Sequence, residues 1–284
     1  MNLAGMDLAL FHAINGHAGD YVLDRLAANI EGNHLIKGGI VMIVMWYYWF
    51  AADHRQADRR QIIICAVIGA LLALVVNRTL ATLLPFRVRP MYAGGIDFHP
   101  LLLTDFPIRL ENWSSFPSDN ATFFFALSTG MYFLSRPLGV VTGFYSFVVA
   151  GLVRVYMGVH YPSDVIVGAL LGIVIAAAVN IEMVRRPVGR VVDALTHRAP
   201  GLFYAGAFAV TLELALVFDD VRDGARSFVR LLKHYGLGLG EDIGLFGFGL
   251  AALLMVIGFG LWRYRVATRS SSLSEDGDTK IVLR

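Results

Sequence analysis

The sequence contains few charged residues and almost no cysteine. Asp, Glu, Lys and Arg make up 16% of its 284 residues, whereas soluble proteins usually contain about 25%. The single cysteine, Cys65, lies in an apolar run and excludes an intrachain disulfide. The sequence also lacks a glycine-rich nucleotide loop and any cluster of metal ligands. We therefore expect no cofactor, no bound metal ion and no nucleic-acid partner.

Long apolar runs are abundant. Hydrophobic residues account for 56% of the sequence, and several runs approach the ~20 residues with which a helix crosses a bilayer. We predict an all-α integral membrane protein, a helical bundle of about seven spans. Lys37, near the start of the first span, is expected to extend its amino group to the membrane surface. The predicted spans are 35–52, 61–84, 120–134, 137–153, 163–183, 200–218 and 243–262.

The pattern of spans and polar segments divides the chain into four regions. Residues 1–34 alternate apolar and polar side chains, which predicts one or two short amphipathic helices lying in the membrane interface. Residues 35–185 form the predicted core, and 186–262 hold two additional spans with a polar loop. Residues 263–284 are polar and are predicted to be a disordered cytoplasmic tail.

The arginines of the polar loops predict the orientation in the membrane. Most of them lie in loops on one side of the predicted bundle, which identifies that side as cytoplasmic. Arg87, Arg89 and Arg154 lie on the other side, and an anionic ligand explains arginines kept against this bias. We expect a multi-pass protein of the inner (plasma) membrane with its site facing the periplasm or exterior. The arginine-bearing loops are 53–60, 135–137, 184–198 and 263–269.

Two polar segments bracket the third and fourth spans. The first is 116–121 (FPSDNA) and the second is 154–164 (RVYMGVHYPSD). If both spans cross the membrane, the chain leaves one face and returns to it, so the two segments meet there. A third polar segment, 87–90 (RVRP), follows the second span on the same face.

The residue types in these segments suit phosphate chemistry. The planar guanidinium group of arginine binds phosphoryl oxygens and stays charged, which favours Arg89 and Arg154, followed by Arg87. Helix N-termini attract anions through free N–H groups and the helix dipole. His160 can attack phosphorus, with Asp164 orienting its other ring nitrogen. The helix N-terminus is predicted at Ser118 and Asp119.

The three segments resemble the signatures of the type 2 phosphatidic acid phosphatase superfamily, which are K-x6-R-P, P-S-G-H and S-R-x5-H-x3-D. The third signature is matched from Arg154 to Asp164, apart from its serine. The second is matched by Pro-Ser, followed by Asp119 and Asn120 where the family has glycine and histidine. The first is matched at Arg89, with Thr82 in place of lysine.

The resemblance covers about residues 60–185 and implies roles for these residues. His160 would form a phosphohistidine, and Asn120 stands where the family's histidine protonates the leaving group. Either Arg87 or Arg78 is a candidate for the charge missing at Thr82. His99, in the loop before segment 116–121, is a weaker candidate to replace the missing histidine.

These inferences predict a metal-independent membrane lipid phosphatase. It would remove phosphate from a polyprenyl pyrophosphate or related lipid phosphate through a His160 phosphoenzyme. The alternative is a non-hydrolytic lipid-phosphate-binding protein or a lipid phosphotransferase, because Asn120 replaces the acid histidine. A transport role is a third alternative, which only the two additional spans support. Glu213, inside the sixth span, is expected to serve packing or helix pairing.

Single-cysteine labelling tests the predicted orientation. A membrane-impermeant thiol reagent applied to intact cells should label Gly94→Cys in the loop 85–116. It should not label Thr196→Cys in the basic segment 184–198, because the cytoplasm lies behind the membrane. Labelling of Thr196→Cys without labelling of Gly94→Cys would show that the orientation is reversed.

Overall fold

A computed structural model describes residues 3–102 and 110–216. These residues form helices joined by loops and contain no β-strand, in agreement with the predicted all-α class. The ten α-helices of the described ranges are α1 (Leu3–Asn15), α2 (Tyr21–Gly32), α3 (Ile40–Phe50), α4 (Gln56–Leu83), α5 (Asp119–Leu134), α6 (Arg136–Ser146), α7 (Val153–Tyr156), α8 (Pro162–Val179), α9 (Glu182–Arg198) and α10 (Pro200–Ala215).

Three helices of the described ranges are long and apolar enough to cross a membrane. They are α4, the continuous helix Arg136–Tyr156, and α8. The second of these joins α6 and α7 through a π-helical stretch at Phe147–Leu152. Shorter apolar helices lie at Leu35–Phe50 and Pro200–Ala215. The predicted seventh span (243–262) and the polar tail lie outside the described residues, so the count of seven spans stays a prediction.

The chain forms two compact units, Met1–Val192 and Asp193–Arg284. The first unit contains every residue predicted for the site, and it includes the N-terminal helices together with the predicted core. Of the second unit, residues 193–216 are described, and they include Glu213 in α10.

Helix α5 is the centre of the first unit and packs against α4, α6 and α8. Apolar residues on all sides of α5 are buried, as expected for a helix enclosed by others. Two glycines allow the closest approaches. A Cβ atom at Gly172 of α8 would lie 2.1 Å from the carbonyl oxygen of Thr122 in α5. A Cβ atom at Gly130 of α5 would lie 2.1 Å from the Cβ of Ala66 in α4.

Buried side-chain hydrogen bonds also join these helices. The Asn77 amide in α4 donates to Thr122 Oγ1 in α5 at 2.8 Å. The hydroxyls of Ser128 in α5 and Ser146 in α6 lie 2.7 Å apart. Such bonds add to close packing in holding apolar helices together. The bond from Asn77 holds the N-terminal half of α5, where segment 116–121 begins the helix.

The N-terminal segment forms two short helices, α1 and α2, and several of its polar side chains are buried inside the unit. Asn15 donates to the backbone carbonyls of His99 and Tyr156, each at 2.9 Å. Asp24 accepts bonds from the Tyr156 hydroxyl at 2.6 Å and from Leu102 N–H at 2.7 Å. Asp24 is buried because it satisfies polar groups that the loops cannot pair among themselves.

Substitution of Gly172 tests the close packing of α5 against α8. Gly172→Ala should lower thermal stability in detergent, because the new Cβ meets rigid backbone, and overpacking typically costs about 1–3 kcal/mol. Gly143→Ala in α6 is the matched control, since open space surrounds its Cβ position. That control should raise stability by roughly 0.5–1 kcal/mol through the helix preference for alanine. A similar rise for Gly172→Ala would contradict the packing described.

Candidate functional site

His160 is positioned by the turn between α7 and α8. Helix α7 ends at Tyr156, and Gly158 adopts a left-handed conformation with φ of 71°. A Cβ atom there would lie 2.3 Å from the Phe98 ring, so both conformation and space require glycine. The N–H groups of Val159 and His160 turn back to the carbonyl of Arg154, at 3.0 and 3.4 Å. The turn directs the His160 side chain into the protein, where it is 1% exposed.

The His160 ring is held in one tautomer. Its Nδ1 atom lies 2.8 Å from the backbone carbonyl oxygen of Ser115. Because a carbonyl oxygen only accepts hydrogen bonds, Nδ1 must carry the hydrogen. In the neutral ring Nε2 is then unprotonated and has a lone pair available for attack. The role of Ser115 was not predicted from the sequence, because every residue has a backbone carbonyl.

The surroundings of His160 favour this neutral ring. Burial lowers the pKa of His160 below its ordinary value, and the charges of Arg89 and Arg154 lower it further. The nearby Asp164 carboxylate opposes the shift. The net effect favours the neutral ring, with its hydrogen on Nδ1.

Asp164 lies behind the ring, on the Nδ1 side. Its Oδ2 atom is 3.7 Å from Nδ1, beyond hydrogen-bonding distance, and accepts the Tyr161 N–H at 2.8 Å. Its Oδ1 atom accepts from Arg87 at 2.5 Å. The predicted hydrogen bond from Asp164 to the imidazole is replaced by the bond to Ser115. Asp164 acts on His160 electrostatically, from the first turn of α8, where the helix dipole favours a carboxylate.

Arg87 was predicted to bind phosphate. In the structure its guanidinium binds other side chains of the protein. Its Nη2 donates to Asp7 at 2.6 Å, while Nη1 donates to Ser163 Oγ at 2.8 Å and to Asp164. Asp7 also accepts the backbone N–H and hydroxyl of Ser163, at 2.8 and 2.7 Å. Both amino groups of Arg87 are thus occupied by carboxylates, and the residue ties α1 to the start of α8.

Arg89 lies on the opposite side of the ring, beside Nε2. Its guanidinium donates to the backbone carbonyls of Trp113, Ser114 and Val159 at 3.1, 3.2 and 3.0 Å. Its Nη1 lies 3.4 Å from Nε2 of His160. Burial lowers the pKa of Arg89 to about 10, so the group stays charged at neutral pH. A fixed cation thus adjoins Nε2 of His160.

Arg154 belongs to a buried ion cluster with Glu31 and Lys37. Its Nη1 donates to Glu31 Oε1 at 2.5 Å, and Lys37 Nζ donates to the same oxygen at 2.9 Å. Burial alone would raise the pKa of Glu31, but the two cations together lower it to about 2. Lys37 does not extend to the membrane surface as expected, because Glu31 binds it inside the protein. Glu31 was missed, since it lies 123 residues before Arg154.

Helix α5 begins next to the start of α8. Ser118 caps the helix by accepting the Ala121 N–H at 3.4 Å, and its own N–H donates to the Asp164 carbonyl at 3.0 Å. This second bond joins the start of α5 to the start of α8. The N-termini of both helices therefore lie at the site, and both favour negative charge.

Asp119, in the first turn of α5, lies on the Nε2 side of His160. Its Oδ1 is 3.9 Å from Nε2, and its Oδ2 forms an ion pair with Arg78. The Arg78 guanidinium lies 4.3 Å above the Trp113 ring. Of the two candidates for the charge missing at Thr82, the structure therefore favours Arg78. The Asp119 carboxylate itself occupies the space beside the reacting nitrogen.

Within the described residues, no hydrogen bond joins the side chain of Asn120 or of His99 to His160. The side chain of Asn120 is buried and makes no hydrogen bond within the described part of the chain, while its backbone N–H donates to Asp119 Oδ1 at 3.0 Å. His99 directs its ring toward Asp97, with 3.5 Å between Nε2 and Oδ1, and its side chain is 46% exposed. The structure gives no support to His99 as a replacement.

Taken as a whole, the site presents an unprotonated nitrogen beside fixed cations. Arg78, Arg89 and Arg154 supply the charges, and α5 begins next to them. Such an arrangement can bind a phosphoryl group and accept it on Nε2.

Comparisons with known proteins match the part of the chain that contains Arg89, Arg154 and His160. The profile of the PAP2 superfamily matches residues 89–186. The chain is 29% identical over 174 residues to the undecaprenyl-diphosphatase BcrC of Bacillus subtilis, covering 60% of this chain and 80% of that protein. It is 30% identical over 176 residues to the bacitracin transport permease protein BcrC of Bacillus licheniformis, covering 62% and 80%.

The solved structure of LpxE from Aquifex aeolicus aligns with 61% of this chain, and the alignment covers 93% of the LpxE chain. The TM-score is 0.45 and the sequence identity is 24%. The matched profile contains Arg89, Arg154, His160 and Asp164, and the relative from Bacillus licheniformis is covered over four-fifths of its length. The chain belongs to the PAP2 superfamily.

Proposed function

We propose that this protein is a membrane lipid phosphatase that removes the terminal phosphate of a polyprenyl pyrophosphate or related lipid phosphate. The observation that carries the proposal is the unprotonated Nε2 of His160. The Ser115 carbonyl binds the hydrogen on Nδ1, and Nε2 lies beside Arg89. The Bacillus subtilis relative is named as an undecaprenyl-diphosphatase, which supports the pyrophosphate class. The predicted orientation puts the reaction at the outer face of a bacterial inner membrane.

The first step follows from these positions. Nε2 attacks the terminal phosphorus, the bond from phosphorus to the bridging oxygen breaks, and the lipid monophosphate leaves with the electron pair. Arg78, Arg89 and Arg154 neutralise the phosphoryl oxygens as negative charge shifts toward the leaving group. The product on the enzyme is a phosphohistidine at His160.

The fate of the phosphohistidine separates hydrolysis from the alternative function. A phosphotransferase would pass the phosphoryl group to an acceptor lipid, and a binding protein would not turn over. Asn120 favours this alternative, because an amide does not transfer protons at neutral pH. Phosphate release in detergent, measured with and without an acceptor lipid, distinguishes hydrolysis from phosphotransfer and from binding alone. Hydrolysis requires release without the acceptor.

Substitutions of His160 and Asp164 should have unequal effects. His160→Ala should abolish phosphate release from lipid pyrophosphate, because it removes the nucleophile. Asp164→Asn should leave measurable activity, with a loss smaller than the ~10⁴ seen when the tautomer is disturbed in a Ser-His-Asp triad. The reason is that the Ser115 carbonyl still holds Nδ1–H.

His99→Ala is the matched histidine control and should retain activity, because its ring pairs with Asp97 near the surface. The proposed mechanism is wrong if His160→Ala turns over at the rate of the native protein.

Asn120 should give the protein a preference for pyrophosphate lipids. The leaving group of a pyrophosphate is a lipid monophosphate, with a second pKa near ~6 by analogy with phosphoserine, so it leaves as a stable anion. A monoester expels an alkoxide, whose parent alcohol resembles water with a pKa of about 15.7. Without an acid histidine, only the monoester suffers from the missing proton.

Asn120→His should therefore raise monoester hydrolysis more than pyrophosphate hydrolysis. General acid catalysis is typically worth ~10²–10⁴-fold, which sets the upper limit of the gain. The measurement is the kcat/KM of both substrates for both proteins. Equal gains on the two substrates, or faster monoester turnover by the native protein, would show that Asn120 does not determine substrate choice.

A further inference from the structure

We propose that Asp119 is a catalytic residue, the general base that activates water to hydrolyse the phosphohistidine. The inference rests on the proposed function and assigns the second half of its reaction. The sequence offers no histidine at position 120 for this task, and the structure places a carboxylate beside the reacting nitrogen instead.

Two carboxylates flank the His160 ring on opposite nitrogens. Asp164 lies 3.7 Å from Nδ1 and is completely buried. Asp119 lies 3.9 Å from Nε2, and its side chain is 16% exposed. Only the second carboxylate adjoins the nitrogen that would carry the phosphoryl group, and water can reach it.

The two carboxylate oxygens of Asp119 face different groups. Oδ2 is paired with Arg78, which holds the carboxylate in position. Oδ1 is the oxygen that faces Nε2, and the N–H of Asn120 donates to it at 3.0 Å. A carboxylate oxygen held in this orientation near the reacting atoms has the geometry of a general base.

The distance to Nε2 suits a water molecule attacking phosphorus. Water must approach phosphorus on the side opposite to the bond with Nε2, where the leaving group departed. A general base needs to lie ~2.6–3.2 Å from that water. An oxygen 3.9 Å from Nε2 is too far to bond to the ring nitrogen, and it borders the space beside Nε2 in which the phosphoryl group and its attacking water would lie.

Hydrolysis transfers the phosphoryl group from His160 to water. The water oxygen forms a bond to phosphorus while the bond from phosphorus to Nε2 breaks, and the electron pair returns to Nε2. The water proton passes to Oδ1 of Asp119. Asp119 then gives this proton to the departing phosphate or to solvent. Release of a lipid monophosphate in the first step needs no proton, so Asp119 is required only in the second step for pyrophosphate substrates.

A purely structural role makes a different prediction. If Asp119 served only to hold Arg78, its loss would weaken phosphate binding and slow the first step as well. Arg78→Gln breaks the same ion pair but leaves the carboxylate in place. The two substitutions therefore separate proton transfer from the positioning of Arg78.

Rapid-quench kinetics with a lipid pyrophosphate labelled in its terminal phosphate provide the test. Asp119→Asn should release one lipid monophosphate per enzyme at a rate near that of the native protein. Steady-state phosphate release should then fall by ~10²–10⁴-fold, and labelled phosphoenzyme should accumulate. Arg78→Gln should slow the first step without accumulating phosphoenzyme. Asp119→Glu, which retains a carboxylate, should recover steady-state release relative to Asp119→Asn.

The proposal is overturned if Asp119→Asn slows the initial release and the steady state equally without phosphoenzyme. Native-like turnover of Asp119→Asn, or failure of Asp119→Glu to exceed it, would also overturn it. Failure of the proposed function looks different, since the native protein itself would then release no phosphate from the labelled lipid.

Discussion

The hydrogen bond between His160 Nδ1 and the Ser115 carbonyl is the interaction on which the site depends. It determines which ring nitrogen is unprotonated, and so which atom can attack phosphorus. Its geometry relies on backbone pairing nearby, since Ser115 N–H donates to the Arg87 carbonyl at 2.9 Å. Arg87 N–H in turn lies 3.2 Å from Ser114 Oγ. The segments before α5 and after α4 are thereby tied together, and the tautomer of one histidine depends on both.

The charges of the site depend on the two N-terminal helices. Asp7 of α1 binds Arg87, and Glu31 of α2 binds Arg154. Arg154 is buried, and a buried guanidinium without a partner is strongly unfavourable, so Glu31 stabilises it. Asp7 holds the half-buried Arg87 in place. The N-terminal helices are therefore part of the site, and Glu31 fixes the position of a proposed phosphate ligand.

The grouping of the site residues was predictable because it follows from topology and spacing. Two apolar runs of near-span length return the chain to one face, and Arg154, His160 and Asp164 keep the spacing of a family signature. The structure brings these residues together with Arg89. The all-α class and the positions of α4, α5 and α8 likewise followed from hydrophobic runs.

The partners that orient these residues were not predictable from the sequence. Ser115 acts through a backbone carbonyl, whose presence at every position carries no information. Asp7 and Glu31 lie far from their arginines along the chain, in helices whose alternating pattern indicated a membrane interface. The choice between Arg78 and Arg87 depended on which side of His160 each arginine pairs on, which only three-dimensional contacts reveal. Arg78 pairs with Asp119 on the Nε2 side, whereas Arg87 pairs with Asp164 on the Nδ1 side.

The position of the phosphoryl group on the enzyme tests the central claim most directly. Phosphoenzyme trapped by rapid quench under alkaline conditions, which preserve phosphohistidine, can be digested and examined by mass spectrometry and ³¹P NMR. We expect phosphate on His160, attached to Nε2, because Ser115 keeps the hydrogen on Nδ1. Phosphate attached to Nδ1 of His160, or to any other residue, would contradict it.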